Sequence, residues 1–221
     1  MRKKRPIQRI ENRTRDASLV VIASEDRFAV KQYFELFQST RIQFHVLETD
    51  HGQSSPQHVM ARLEEYLDVF SVGEGDQFWL VCDTDHWIEI NHIQNLVEVV
   101  KRCKQKGIAV ALSNPCFDLW LLLHFDDFPP ATSLTSSQIG DLIRGKVANF
   151  NKTKVYNLPF SESGVRDAIE RSRNNFVESD VIPGKPQTAI HLIIEELVEK
   201  EIIGMRATHA KSSHPASKLL G

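Results

Sequence analysis

Cysteine is scarce in this chain and poorly placed for covalent work. Cys82, Cys103 and Cys116 are an odd set, and no two of them stand at metal-ligand spacing. That gives neither a disulfide framework nor a cysteine zinc site, and it points to a reducing, cytoplasmic compartment. Long apolar runs are also missing. No segment approaches the roughly 20 apolar residues of a membrane span. The basic N-terminus is not followed by an apolar h-region, so no secretory signal is expected. There is no internal repeat and no long low-complexity tract. Positive charge is nearly absent from the centre: between Ile42 and Val100 the only Lys or Arg is Arg62, amid many acids.

Basic residues gather on either side of that gap. Arg2, Lys3, Lys4, Arg5, Arg9, Arg13 and Arg15 crowd the start against a single acid, Glu11. Arg144, Lys146, Lys152, Lys154, Arg166, Arg171 and Arg173 follow Asp141. The formal net charge is only -2, so the distribution is more informative than the sum. An acidic centre between basic segments suits a metal site that handles a polyanion. The plainer reading is a solubilising tail and solvated helix faces. With 221 residues, 41% hydrophobic and 25% charged, the chain is globular, one ordinary domain with a small extension.

The acidic centre is built around Phe78-Trp79-Leu80-Val81-Cys82-Asp83-Thr84-Asp85. The apolar run reads as a strand buried on both faces of a parallel sheet. Asp83 and Asp85 would stand at its C-terminal end, where open α/β sheets place ligands. Residues two apart in a strand point the same way, so both carboxylates are expected on one side. Two like charges that close are unfavourable unless a cation joins them, and Mg²⁺ or Mn²⁺ is the economical explanation. A solvated pair capping the next helix is the plainer one.

Around that strand the chain alternates. Leu19 to Ala23 reads as a first buried strand ending at Ser24-Glu25-Asp26, with Ser24 able to cap a helix carrying Phe28, Tyr33, Phe34 and Phe37. Glu25 is then a carboxylate at a helix start, on the same sheet edge as Asp83 and Asp85. Ile42, Phe44 and Val46 mark a second strand, and Ser55-Pro56 opens a helix with Val59, Leu63, Leu67 and Phe70 on its apolar side. After the central strand come a helix (Ile93, Leu96, Val97, Val100) stopped at Gly107 and a fourth strand over Ile108 to Leu112. The βαβαβαβ order predicts an α/β fold with a four-stranded parallel sheet. Residues 1–16 are expected to be a flexible basic arm, 17–127 the α/β core, 128–203 a mainly helical part packed on it, and 204–221 a mobile tail. Pro129-Pro130 and the cluster from Thr132 to Ser137 read as a linker.

Past the fourth strand stands Ser113-Asn114-Pro115-Cys116-Phe117-Asp118-Leu119-Trp120-Leu121-Leu122-Leu123-His124-Phe125. Ser113 and Asn114 are expected to open a helix and to face a phosphate or a water. Asp118, one turn in, could reach the carboxylates. Trp120 and the leucines read as core. His124 reads first as a satisfied core histidine, and otherwise as a site acid.

In its order of motifs the chain resembles the RloB-like proteins, a branch of the Toprim superfamily. The resemblance rests on four features: the strand ending in Glu25, the apolar run before Asp83 and Asp85, the block from Ser113 to Phe125, and a Lys-containing segment followed by Thr188-x-x-His191. It covers roughly residues 18–200. It implies a Toprim-like sheet, Mg²⁺-dependent phosphodiester chemistry, a setting in bacterial anti-phage defence, and an ABC- or AAA-type ATPase partner. Two positions depart from the pattern: Asp26 stands where Gly is usual, and Asp118 where Glu is usual.

The activity expected from this is a nuclease acting on RNA, possibly tRNA, or DNA. Asp83 and Asp85 would hold the metal. Glu25 would complete its shell or move a proton. Asp118 would be a further catalytic carboxylate, Ser113, Asn114, Lys152 and Lys154 would bind phosphate, and His124, Thr188 and His191 would support the site. Lys152 and Lys154 also read as a solvated basic turn, Thr188 as a cap, His191 as packing. The alternative is a non-catalytic Toprim module gripping nucleic acid or a partner; a homodimer is compatible with either. A haloacid-dehalogenase-type phosphatase is disfavoured because Trp87 stands where Thr or Val is needed. A DxD glycosyltransferase would leave the Ser113-Asn114-Pro115 block unexplained.

Overall fold

The computed structural model describes residues 17–49, 52–89, 92–128, 133–178 and 182–205. The expected basic arm, the Pro129-Pro130 linker and the tail beyond residue 205 lie outside the described residues.

Four strands run parallel: β1 (Ser18–Ser24), β3 (Ile42–Leu47), β4 (Gln77–Asp83) and β5 (Ala109–Asn114). The sheet holds one strand more than the alternation predicts. β6 (Gln187–Thr188) pairs antiparallel with the end of β5, giving the order β3-β1-β4-β5-β6. Gln187 therefore belongs to a strand rather than to the start of the last helix: it pairs with Asn114 in that ladder, and its side chain also holds Val177 through both the backbone N–H and the C=O, at 3.0 and 2.9 Å. A small second sheet joins β2 (Phe37–Gln38) to β7 (Gly204–Met205). Gly204 and Met205, expected in a mobile tail, are thus strand residues.

Alternation along the strands divides the interior into two layers. Leu19, Val21 and Ala23 of β1 face one core, with Leu80, Cys82 and Leu112. Two helices cover that side, α2 (Pro56–Val69) and α4 (Ile93–Gln105). Ser55 caps α2 as expected, accepting from His58 N–H. Gly107 takes a positive φ of 70° where α4 ends, a conformation costly for other residues. Val20 and Ile22 face the other core, with Val81 and Ala111. There lie α1 (Ala29–Phe34), α5 (Asp118–Leu123), α6 (Ser136–Lys146), α7 (Glu162–Asn175) and α8 (His191–Glu199). The helices after residue 133 thus share one apolar core with the sheet. α1 is shorter than the aromatic spacing predicts: Phe28 precedes it and is exposed, and Phe37 falls in β2. Among the described residues no helix is long and apolar enough to cross a membrane.

The strand order places a crevice. From β1 the chain leaves through α1 on one face of the sheet. From β4 it leaves through α3 (Asp85–Glu89) and then α4 on the other face. Neighbouring strands whose connections diverge form a topological switch point, the usual ligand crevice of such sheets. Glu25 follows β1 and Asp83 ends β4.

Candidate active site

The strand carrying Asp83 stops there. Thr84 turns, and Asp85 opens α3, so the two carboxylates do not share a strand face as the spacing suggested. The turn is held by the β5 exit. Thr84 N–H donates to Ser113 C=O and Pro115 C=O, both at 3.0 Å, and Asp85 N–H donates to Pro115 C=O at 3.1 Å. The Asn114–Pro115 peptide is cis. Asp83 Oδ1 accepts from Phe117 N–H at 2.8 Å, tying the end of β4 to the approach of α5.

Glu25 reaches across the crevice. One carboxylate oxygen accepts from Asp83 N–H and the other from Trp87 Nε1–H at 3.3 Å. Burial pushes its pKa up to about 7, and the charges of Asp85 and Asp26 act in the same direction. Asp83 is raised well above the carboxylate range, first by burial and then by Glu25, Asp85, Asp26 and Asp118. Asp118 is pushed up to about 6 by burial, with Lys152 and Arg144 pulling the other way. The fold therefore brings Glu25, Asp83, Asp85 and Asp118 into one electrostatic cluster. None of the four makes an ion pair with Lys, Arg or His among the described residues.

Several neighbours carry no strong sequence signal. Ser136, at the start of α6, donates to Asp85 Oδ2. Trp87 is legible only as an aromatic early in a short helix. Thr84 is fully buried, and its hydroxyl has no hydrogen-bond partner among the described residues. Asp26 rather than Ser24 caps α1, accepting from Phe28 N–H at 2.7 Å and also from Ala29 and Val30 N–H. Ser24 instead accepts from Asp26 N–H at 3.0 Å. Asp26, one of the two positions noted in the sequence as departing from the resemblance, thus has a job in the local fold.

The expected phosphate binders separate. Lys152 and Lys154 sit on an exposed turn, Lys152 close enough for its charge to act on Asp118. Ser113 and Asn114 are the last residues of β5, not a helix start, because α5 begins only at Asp118. The buried Ser113 hydroxyl shares a hydrogen bond with Thr188 Oγ1 at 2.8 Å. Asn114 Nδ2 donates to Pro183 C=O at 2.7 Å. In this arrangement both side chains are engaged within the protein.

The three supporting residues lie deeper. His124 accepts at Nε2 from the Tyr33 hydroxyl (3.1 Å) and donates from Nδ1 to Trp120 C=O (2.9 Å), a fully satisfied core histidine. Burial holds it neutral, with its pKa down at about 3. Thr188 and His191 extend a buried polar chain from Ser113. Ser172 Oγ donates to Thr188 C=O at 2.9 Å and lies 2.8 Å from His191 Nδ1. Glu195 is 4.0 Å from His191 Nε2. Ser172, His191 and Glu195 mimic a nucleophilic triad, but the serine proton is given to a carbonyl. Nδ1 must then donate to Ser172, so the imidazole cannot take its proton. Ser172 and His191 are also buried.

Among the described residues no three His, Cys, Asp or Glu side chains form a ready-made metal cage. The donor set still has the chemistry of a hard-cation site: oxygen ligands only, and a cluster whose mutual repulsion a divalent ion would relieve. The carboxylate oxygens that accept one N–H or O–H keep a second lone pair for a ligand bond.

The chain matches the family model described as RloB-like protein over residues 20–197. That span is most of its length, and the chain belongs to the RloB-like family. No curated protein and no solved structure matches it.

Proposed function

We propose that this RloB-like protein is a Toprim-type, divalent-metal-dependent nuclease that hydrolyses phosphodiester bonds in RNA, possibly tRNA, or DNA. The observation that carries the reading is the meeting of Glu25, Asp83, Asp85 and Asp118, from separate segments, at the β1/β4 switch point. Mg²⁺ or Mn²⁺ bound by Asp83, Asp85 and Glu25 would supply Lewis-acid polarisation of a phosphate oxygen. Glu25 would either complete that metal shell or, off the metal and with its carboxyl pushed up to about 7 by burial, move a proton to or from the reacting oxygens. Lys152 offers a point charge to a phosphate beside Asp118. Asp83 N–H and Trp87 Nε1–H fix the direction of the Glu25 carboxylate.

The setting we propose is bacterial anti-phage defence, with an ABC- or AAA-type ATPase as the controlling partner. The family resemblance supports that part. A non-catalytic binding module is the second reading, and the absence of a ready-made metal cage among the described residues favours it. The two separate in one experiment. Wild type, Glu25→Gln and the Asp83→Asn/Asp85→Asn double variant are incubated with total RNA and plasmid DNA, with Mg²⁺, Mn²⁺ or chelator, and with and without the proposed ATPase partner. Metal-dependent cutting by wild type alone is the expected result. Folded variants that cut like wild type would remove the carboxylates from the chemistry.

A further inference from the structure

The Glu25 side of the site carries an aromatic ring that the core does not use. Phe28, just before α1, is 42% exposed. The Arg27 guanidinium lies over it, 5.1 Å from the ring centroid. Phe28 is three residues from Glu25, and its N–H is held by Asp26, whose charge acts on Glu25, Asp83 and Asp118. Gln32 lies one helical turn further on the same side of α1 and donates to Thr153 C=O at 2.9 Å. That docks the turn bearing Lys152 and Lys154 against the helix that Phe28 heads. Tyr156, 49% exposed, follows on the same segment. An exposed ring paired with Arg27 and a docked turn carrying Lys152, Lys154 and Tyr156 therefore lie on the side of the sheet edge where Asp26 and Lys152 act on the carboxylates.

We propose that the site takes an unpaired nucleic-acid strand, with a base stacked on the Arg27–Phe28 pair and the backbone phosphates running past Lys152 and Lys154. The inference rests on the nuclease reading and narrows its substrate class. In a duplex the bases are stacked on each other and offer no face to a protruding ring. An unpaired strand offers one at every nucleotide, so stacking of this kind selects strand state with little regard to sequence. Lysine and arginine contacts to phosphate add affinity for any strand, and only the ring discriminates. A docking protein would want a continuous apolar patch, and here the ring stands beside the charged Asp26 and Arg27.

The test is a binding measurement on the full chain, with chelator present so that nothing is cut. Fluorescence anisotropy is read on labelled oligonucleotides of one sequence, as single-stranded RNA, single-stranded DNA and the corresponding duplexes. Single strands should bind about tenfold or more tighter than duplexes. Phe28→Ala should weaken single strands by about tenfold and leave duplex binding unchanged, and Phe28→Tyr should retain wild-type preference. Lys152→Ala/Lys154→Ala should weaken all of them alike. The RNA and DNA arms show which sugar the strand carries. Equal affinity for single strands and duplexes, or a Phe28→Ala variant with unchanged preference, would overturn the inference and leave the nuclease reading standing. Failure of wild type to bind any of the four would also overturn the inference, while the nuclease reading stands or falls with the cleavage experiment.

Discussion

Glu25→Gln should make the metal-free protein more stable at alkaline pH while abolishing cleavage. The folded carboxyl titrates near 7 against an ordinary value of 4.5. Between those values the folded chain holds a proton that the unfolded chain has released, so stability falls as pH rises. The loss is complete above about pH 7 and, for a rise from 4.5 to about 7, amounts to about 3 kcal/mol. Gln carries no charge, so it escapes that loss. Its Oε1 can still accept from Asp83 N–H, but its NH₂ cannot accept from Trp87 Nε1–H, which returns about 1 kcal/mol. The net gain is then about 2 kcal/mol, or about 4–8 °C in Tm for a chain of this size.

The assay is thermal unfolding in chelator at about pH 5 and about pH 8. Near pH 5 both chains are uncharged at this position, and the gap should shrink or reverse by the lost Trp87 bond. Added Mg²⁺ should raise the Tm of wild type and much less that of Glu25→Gln, because only a ligand that prefers the folded state stabilises it. A Glu25→Gln chain less stable than wild type at about pH 8 in chelator would refute the reasoning. It would mean that the carboxylate is solvated or already neutralised.

Three further outcomes follow from named contacts. Asp26→Ala should cost about 0.5–2 kcal/mol by uncapping α1, whereas Asp26→Asn keeps the acceptor, removes a like charge from the cluster and should match or exceed wild type in chemical denaturation. Thr84→Val, of nearly the same shape, removes a buried hydroxyl that has no partner among the described residues; it should be neutral or stabilising by up to about 1 kcal/mol, and a marked loss would show that the hydroxyl is used. His124, with a folded pKa of about 3 against 6.5, binds its proton only in the unfolded chain between those values. Stability should therefore fall as pH drops from about 6.5 towards about 3, and its imidazole NMR signals should not titrate near neutrality.

The carboxylates at the strand ends could be read from the chain because each follows an apolar run, and a buried strand can end on a charge only at the sheet edge. Glu25 and Asp83 obey that rule, and the two-layer sheet follows from the same runs. What could not be read is whatever depends on contacts between distant segments. Ser136 reaches Asp85 from the far side of the α5 block. β6 has two residues, too few for any periodicity, and exists only through its pairing with the distant end of β5. The Ser113-Asn114-Pro115 stretch was misleading for a related reason. Its polar residues resemble a helix cap, but the β5 ladder holds them, and helical geometry starts only at Asp118.

Asp26 joins these threads. An acid here adds charge to a cluster already short of counter-charge. Yet its carboxylate takes three N–H groups at the start of α1, so that charge is spent largely on the helix end. The cap also orients the backbone from which Phe28 emerges. Glycine would give a phosphate closer approach at this point; aspartate gives up that approach and fixes the ring instead. If the site grips an unpaired strand through Phe28, Asp26 is the residue that orients the ring holding it. Asp26→Gly would then weaken the single-strand preference along with the helix, while Asp26→Asn would keep both.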